Sequence, residues 1–170
     1  MKKSNVRKLL SMTVAVSALS MLLATGAGAE SYAADNTSAS SAVTEPGALT
    51  PPPPETYNNM SLNGNYLYLA DGNANISAIG DGKLSVNAQT TATTVVDVIK
   101  ADVTLQRFTG TGWVNVNSNL FSRNSSDFVT GDAVFVGVKG FYYRIACIHS
   151  INKNGVFEQK ITYSGSVLAY

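Results

Sequence analysis

The sequence predicts an all-β fold, an antiparallel β-sandwich over residues 62–170. Three observations support it: short alternating apolar and polar runs, turn residues Gly, Asn and Asp between them, and no sustained 3.6-residue periodicity. Lys83-Leu84-Ser85-Val86-Asn87-Ala88 alternates as a half-buried strand does. Val103 to Phe108 and Trp113 to Val116 flank Thr109-Gly110-Thr111-Gly112 and read as a hairpin. Ala133 to Val138 is a nearly continuous apolar run, with β-branched Val134, Val136 and Val138. Lys139-Gly140 turns it into a strand from Phe141 to Ile148, and Lys153-Asn154-Gly155 turns that strand into Val156 to Tyr163. Six or seven strands in about 100 residues, at this turn spacing, fit a sandwich.

The chain before these strands divides in two. Met1 to Lys8 carries four positive charges, Leu9 to Ala24 is uncharged and apolar, and Ala27-Gly28-Ala29 supplies the small residues a signal peptidase needs. Residues 1–29 are therefore expected to be a signal peptide cleaved between Ala29 and Glu30, with a second cut after Ala34 as an alternative. An uncleaved anchor would need an apolar span of about 20 residues, longer than this one. Residues 30–61 are rich in Ser, Thr, Ala, Asn and Pro, with the run Pro51-Pro52-Pro53-Pro54. Proline fixes φ and lacks an amide donor, so this stretch is expected to be a disordered spacer with a stiff polyproline II segment.

Charge narrows the partners. The 170-residue chain has 12 Lys and Arg against 11 Asp and Glu, and four of those cations lie in residues 1–29, so the cleaved product is mildly acidic. Without a basic stripe, nucleic acid is not an expected partner. The expected contact with a membrane is through the signal peptide before cleavage, and the expected location is extracellular.

Few residues suit catalysis. Cys147 and His149, two apart in one strand, share a face with Phe141, Tyr143 and Ile145. Same-face neighbours stand about 6.5 to 7 Å apart at the backbone and project in parallel, which suits a nucleophile and its base poorly. Cys147 reads as a small buried hydrophobe, and His149 as a hydrogen-bonded residue shaping the following loop. An odd Cys in a secreted chain could otherwise form an intermolecular disulfide. Asp71-Gly72-Asn73-Ala74-Asn75 spaces its oxygens like the start of a calcium loop, but Ile76 and Gly82 stand where that loop needs Gly and Glu. A polar turn is the reading preferred there, and no metal or cofactor is expected. Tyr66, Tyr68, Trp113, Tyr142 and Tyr143 are the aromatics that could meet a ligand, or that fill a core.

The run Phe141-Tyr142-Tyr143-Arg144-Ile145-Ala146-Cys147-Ile148-His149 resembles the penultimate strand of a fibronectin type III or related immunoglobulin-like domain. Leu105 to Phe108, the Gly-rich turn and Trp113 to Val116 resemble that fold's third strand and hairpin. Phe141 stands where such domains often place a corner tyrosine, a departure that removes the hydroxyl bond to backbone unless Tyr142 or Tyr143 replaces it. Cys147, the single Cys, excludes an antibody-type disulfide.

The pattern from Gly82-Lys83-Leu84 through Thr90-Thr91-Ala92, Val96-Asp97, Leu105-Gln106-Arg107, Trp113-Val114, Tyr142-Tyr143-Arg144, His149-Ser150 and Lys153-Asn154-Gly155 to Glu158 is similar to a family of small secreted Gram-positive proteins known as a domain of unknown function. The resemblance implies secretion and a β-sandwich, and no activity. The expectation is a non-catalytic extracellular module that binds a protein or glycan at the cell surface, the alternative being a self-assembling matrix protein whose edge strands pair.

Overall fold

The computed structural model describes residues 44–54 and 66–170; the expected signal peptide, with Ala29 and Glu30, lies outside the described residues. The described chain is all-β and antiparallel: β1 (Leu69–Gly80), β2 (Lys83–Phe108), β3 (Trp113–Val136), β4 (Tyr142–Lys153), β5 (Val156–Tyr163) and β6 (Val167–Leu168). All six join one sheet, in the path β1-β2-β4-β5, with β3 on the other side of β2 and β6 on β4. The sheet curls into a half-barrel.

Strand β2 organises the curl. Its first half, Lys83 to Ala92, pairs with β1, and its second, Val98 to Arg107, pairs with β4 along the same edge. Strand β3 follows the opposite edge through both halves, with a register shift where Thr91 gives way to Val96. Buried positions run Leu84, Val86, Ala88, Thr90, Ala92 and Val96 up to the end of that corner, and Ile99, Ala101, Val103 and Leu105 after it. Even numbers become odd. Side chains alternate faces along a strand, so this change of parity keeps one strand facing one core through the bend. Both halves, with Tyr143, Ile145, Cys147 and Ile151 of β4, form a single apolar cluster.

The hairpins match the sequence. Phe108 pairs with Trp113 across the Thr109–Gly112 turn, where the Thr109 amide donates to the Gly112 carbonyl at 2.9 Å. Asn154 and Gly155 both have positive φ, 49° and 82°, the two-residue turn whose twist suits a hairpin.

Small residues let the two halves close on one another. Gly72 of β1 lies under the imidazole of His149, Gly131 under the ring of Phe121, and Gly137 under the ring of Tyr143, where a β-carbon would stand 2.8 Å from ring atoms. The start of β1 is tied to β5 by Glu158, whose carboxylate accepts the amides of Leu67, Tyr68 and Leu69 at 2.6, 3.0 and 2.7 Å. Burial raises that carboxyl's pKa, but the three amide bonds outweigh it and hold the group below its usual range.

Two expectations are corrected. Asp71 to Asn75 is neither loop nor turn: it is part of β1, paired with Thr91 to Asn87, its oxygens exposed and Gly72 and Ala74 buried. Among the described residues no group of three His, Cys, Asp or Glu side chains gathers to hold a metal. Residues 44–54, inside the expected disordered spacer, are seated on the sheet. The Leu49 amide donates to the Gly140 carbonyl at 2.7 Å, Thr50 and Pro53 are buried, and Ala48 packs on Phe108, Tyr142 and Leu168. Proline cannot join a ladder, but an extended run with few donors to satisfy covers an apolar patch at little cost.

Candidate functional site

Strand β3 is the feature most suited to meeting another molecule. It pairs with β2 alone over its 24 residues, so the hydrogen-bonding groups of its other edge have no strand partner among the described residues. Its sequence contains no proline, which would have interrupted such an edge. Ser125, at φ +50°, divides the edge into two straighter segments.

The second segment, Phe128 to Val136, carries the strongest apolar signal. Val129 and Phe135 face the core, whereas Val134 and Val136 face solvent, 60% and 75% exposed, and Val138 continues the exposed line. Edge strands are usually protected by charges that repel a second strand. Asp132 is the one charge in this segment, and its carboxylate is drawn sideways to accept from Asn87 Nδ2 of β2 at 2.9 Å. The first segment is polar, with Asn115, Asn117, Ser118 and Asn119, but it exposes Val114, Val116 and Leu120.

Cys147 and His149 lie in the core, both 0% exposed. Their side chains are closer than strand spacing suggests, with Sγ 3.9 Å from Nδ1. The Thr90 hydroxyl donates to the Lys100 carbonyl at 2.9 Å, so its oxygen accepts from His149 Nδ1–H at 2.7 Å. The Thr162 hydroxyl then donates to Nε2 at 2.8 Å. His149 thus bridges two strands rather than shaping the loop after β4. Burial pushes its pKa down to about 4, against the opposing pull of Asp71 and the Gln89 backbone. Burial, with Asp102 adding to it, pushes the Cys147 thiol up to about 12. Both groups are neutral near pH 7, where a thiolate–imidazolium pair would need both charged.

The aromatics separate by role. Tyr142 and Tyr143 are buried on opposite faces of β4, and the Tyr143 hydroxyl accepts the Val138 amide at 2.7 Å, the bond to backbone that Phe141 cannot make. Tyr66 donates to the Gln159 carbonyl at 3.1 Å, and Tyr68 lies beneath the Lys153 ammonium. Trp113 is half-buried, its ring 5.2 Å from that of Phe108. Phe157 is exposed beside a shallow groove of about 180 Å³, lined also by Val98, Lys100, Ser150, Ile151 and Asn152.

Sequence reasoning located the Val134-Val136-Val138 run but not its exposure. Period-two patterning marks a strand, while the face that is covered depends on strands distant in sequence. Comparison with protein-family models, curated proteins and solved structures gives no match to the chain.

Proposed function

We propose that this chain is a secreted, non-catalytic module that binds a protein partner by adding the partner's strand to the open edge of β3. The observation that carries this reading is the ungated segment Phe128 to Val136, an edge with exposed valines and its one carboxylate turned aside. Main-chain bonds along such an edge give affinity, and alternate side chains give selectivity. Secretion is supported by the pattern of residues 1–29, and the resemblance to the small secreted Gram-positive family agrees with it. On this reading the two halves of the curled sheet serve as the layers of an immunoglobulin-like sandwich. The sealed, neutral state of Cys147 and His149 supports a role without catalysis.

A second reading has its own support. The same edge is available to another copy of the chain, which would make the protein a self-assembling component of an extracellular matrix. Val134 and Val136 are exposed on the strand whose open edge a twofold axis would pair antiparallel with its copy.

The test uses the secreted protein and its Val136→Lys variant, immobilised and exposed to culture supernatant and envelope extract. Capture of a protein by the wild type and its loss in the variant supports strand addition. Capture that survives the substitution removes β3 as the site, and no capture at all removes the binding role. Sedimentation velocity over a concentration series separates the second reading: oligomers that the variant abolishes identify the partner as another copy.

A further inference from the structure

Arg144 of β4 is held between aromatic rings from two other strands. Its guanidinium carbon stands 4.3 Å from the ring centroid of Trp113, of β3, and 4.4 Å from that of Tyr163, of β5. Its Nε donates to Gln106 Oε1 at 2.8 Å, and Gln106 Nε2 donates in turn to Asn115 Oδ1 at 2.9 Å. Both rings lie against the guanidinium, and the Gln106 carbonyl oxygen holds its Nε. What remains is the edge formed by the two terminal nitrogens. Among the described residues neither has a protein acceptor, and the single ion pair, Lys139–Asp81, lies elsewhere.

A half-buried cation is thus left with an open hydrogen-bonding edge. Burial lowers the Arg144 pKa, and Tyr163 offsets the effect only in part. Arginine desolvated by stacking normally recovers that cost in a forked bond to a carboxylate or phosphate. Here Gln106, Asn115, Thr104 and Ala146 surround it on the sheet face, and none of them is an acid.

We propose that Arg144 is a binding site for a carboxylate-bearing ligand, with Trp113 and Tyr163 as the walls of a slot that admits the carboxylate in the plane of the guanidinium. The flat fork favours carboxylate over phosphate, because a tetrahedral anion directs oxygens out of that plane and against the rings. The site lies at the start of β3, at the other end of the strand from the Phe128 to Val136 segment proposed for strand addition. It has a built-in reporter, since Trp113 is the only tryptophan in the sequence.

The experiment titrates the secreted protein with sodium glucuronate and follows tryptophan emission, with sodium chloride and sodium phosphate at matched ionic strength. The expected result is a saturable change with glucuronate, none with chloride, and binding at least about tenfold weaker in Arg144→Lys, which keeps the charge and loses the fork. Gln106→Ala, which frees the guanidinium to rotate, is expected to weaken binding several-fold. An equal response to chloride, or an unaltered affinity in Arg144→Lys, overturns the site. Phosphate binding as tight as glucuronate overturns the carboxylate assignment. If Arg144→Lys does not fold, the wild-type guanidinium resonances decide: a shift of the Arg144 Nη signals with glucuronate is expected, and their constancy rejects the proposal.

Discussion

The imidazole of His149 rests directly on the backbone of Gly72, so that a β-carbon at position 72 would overlap the ring. The contact joins β4 to β1 across the core and places a polar ring where only a glycine leaves room. Gly72→Ala is expected to cost about 1 to 3 kcal/mol by overpacking. Gly137→Ala, which meets the Tyr143 ring, is expected to cost a similar amount. Gly112→Ala is the contrast: nothing lies within 4 Å of its added carbon, and stability should stay equal or rise by up to about 1 kcal/mol. Urea denaturation of the three variants checks both sign and order.

Acid should destabilise the fold through His149. The pKa of His149 is about 4 when folded, against an ordinary value of 6.5, so between these limits the unfolded chain binds a proton the folded chain refuses. Stability is therefore complete above about pH 6.5 and declines as pH falls towards 4, by about 3 kcal/mol in all. His149→Gln should flatten this slope. Unfolding free energies at a series of pH values provide the measurement, and an unchanged slope in the variant would assign the effect to another group.

Glu158 acts in a lower window. Its folded pKa is depressed, so the stability it supplies is present above the ordinary carboxylate range and is lost as pH falls through the folded value. Glu158→Gln retains one acceptor oxygen for three amide donors and is expected to cost about 1 to 2 kcal/mol. Hydrogen exchange should show faster opening at Leu67, Tyr68 and Leu69, with little change in β2.

The Cys147 thiol should resist modification in the native state. It is wholly buried and its pKa is pushed up to about 12, so both access and thiolate are lacking. A thiol reagent is expected to label it in urea and not in buffer, and mass spectrometry of the two samples makes the comparison.

Local patterns were readable in the sequence to the extent that a single strand or turn determines them. The alternation of Lys83 to Ala88, the hairpin around Gly110 and the Asn154-Gly155 turn all depend on neighbours in the chain. Asp71 to Asn75 does not look like a strand in sequence because its inward residues are Gly72 and Ala74, too small to stand out against Asp71, Asn73 and Asn75. Gly72 is small because His149 fills the space, and that partner is 77 positions away. The arginine slot was hidden for the same reason: Gln106, Trp113, Arg144 and Tyr163 come from four strands. The seating of residues 44–54 has no periodic signature, since polyproline geometry repeats every three residues without a buried stripe.

The parity change within β2 makes the length of its corner a conserved quantity of the fold. One residue added or removed between Ala92 and Ile99 would exchange the inward set Ile99, Ala101, Val103 and Leu105 for the outward set Val98, Lys100, Asp102 and Thr104. A change of two residues would preserve the facing and alter only the reach of the bend. Natural variants of this protein should therefore differ in corner length by even numbers, while the Thr109–Gly112 turn, which no parity constrains, is free to lengthen by any amount.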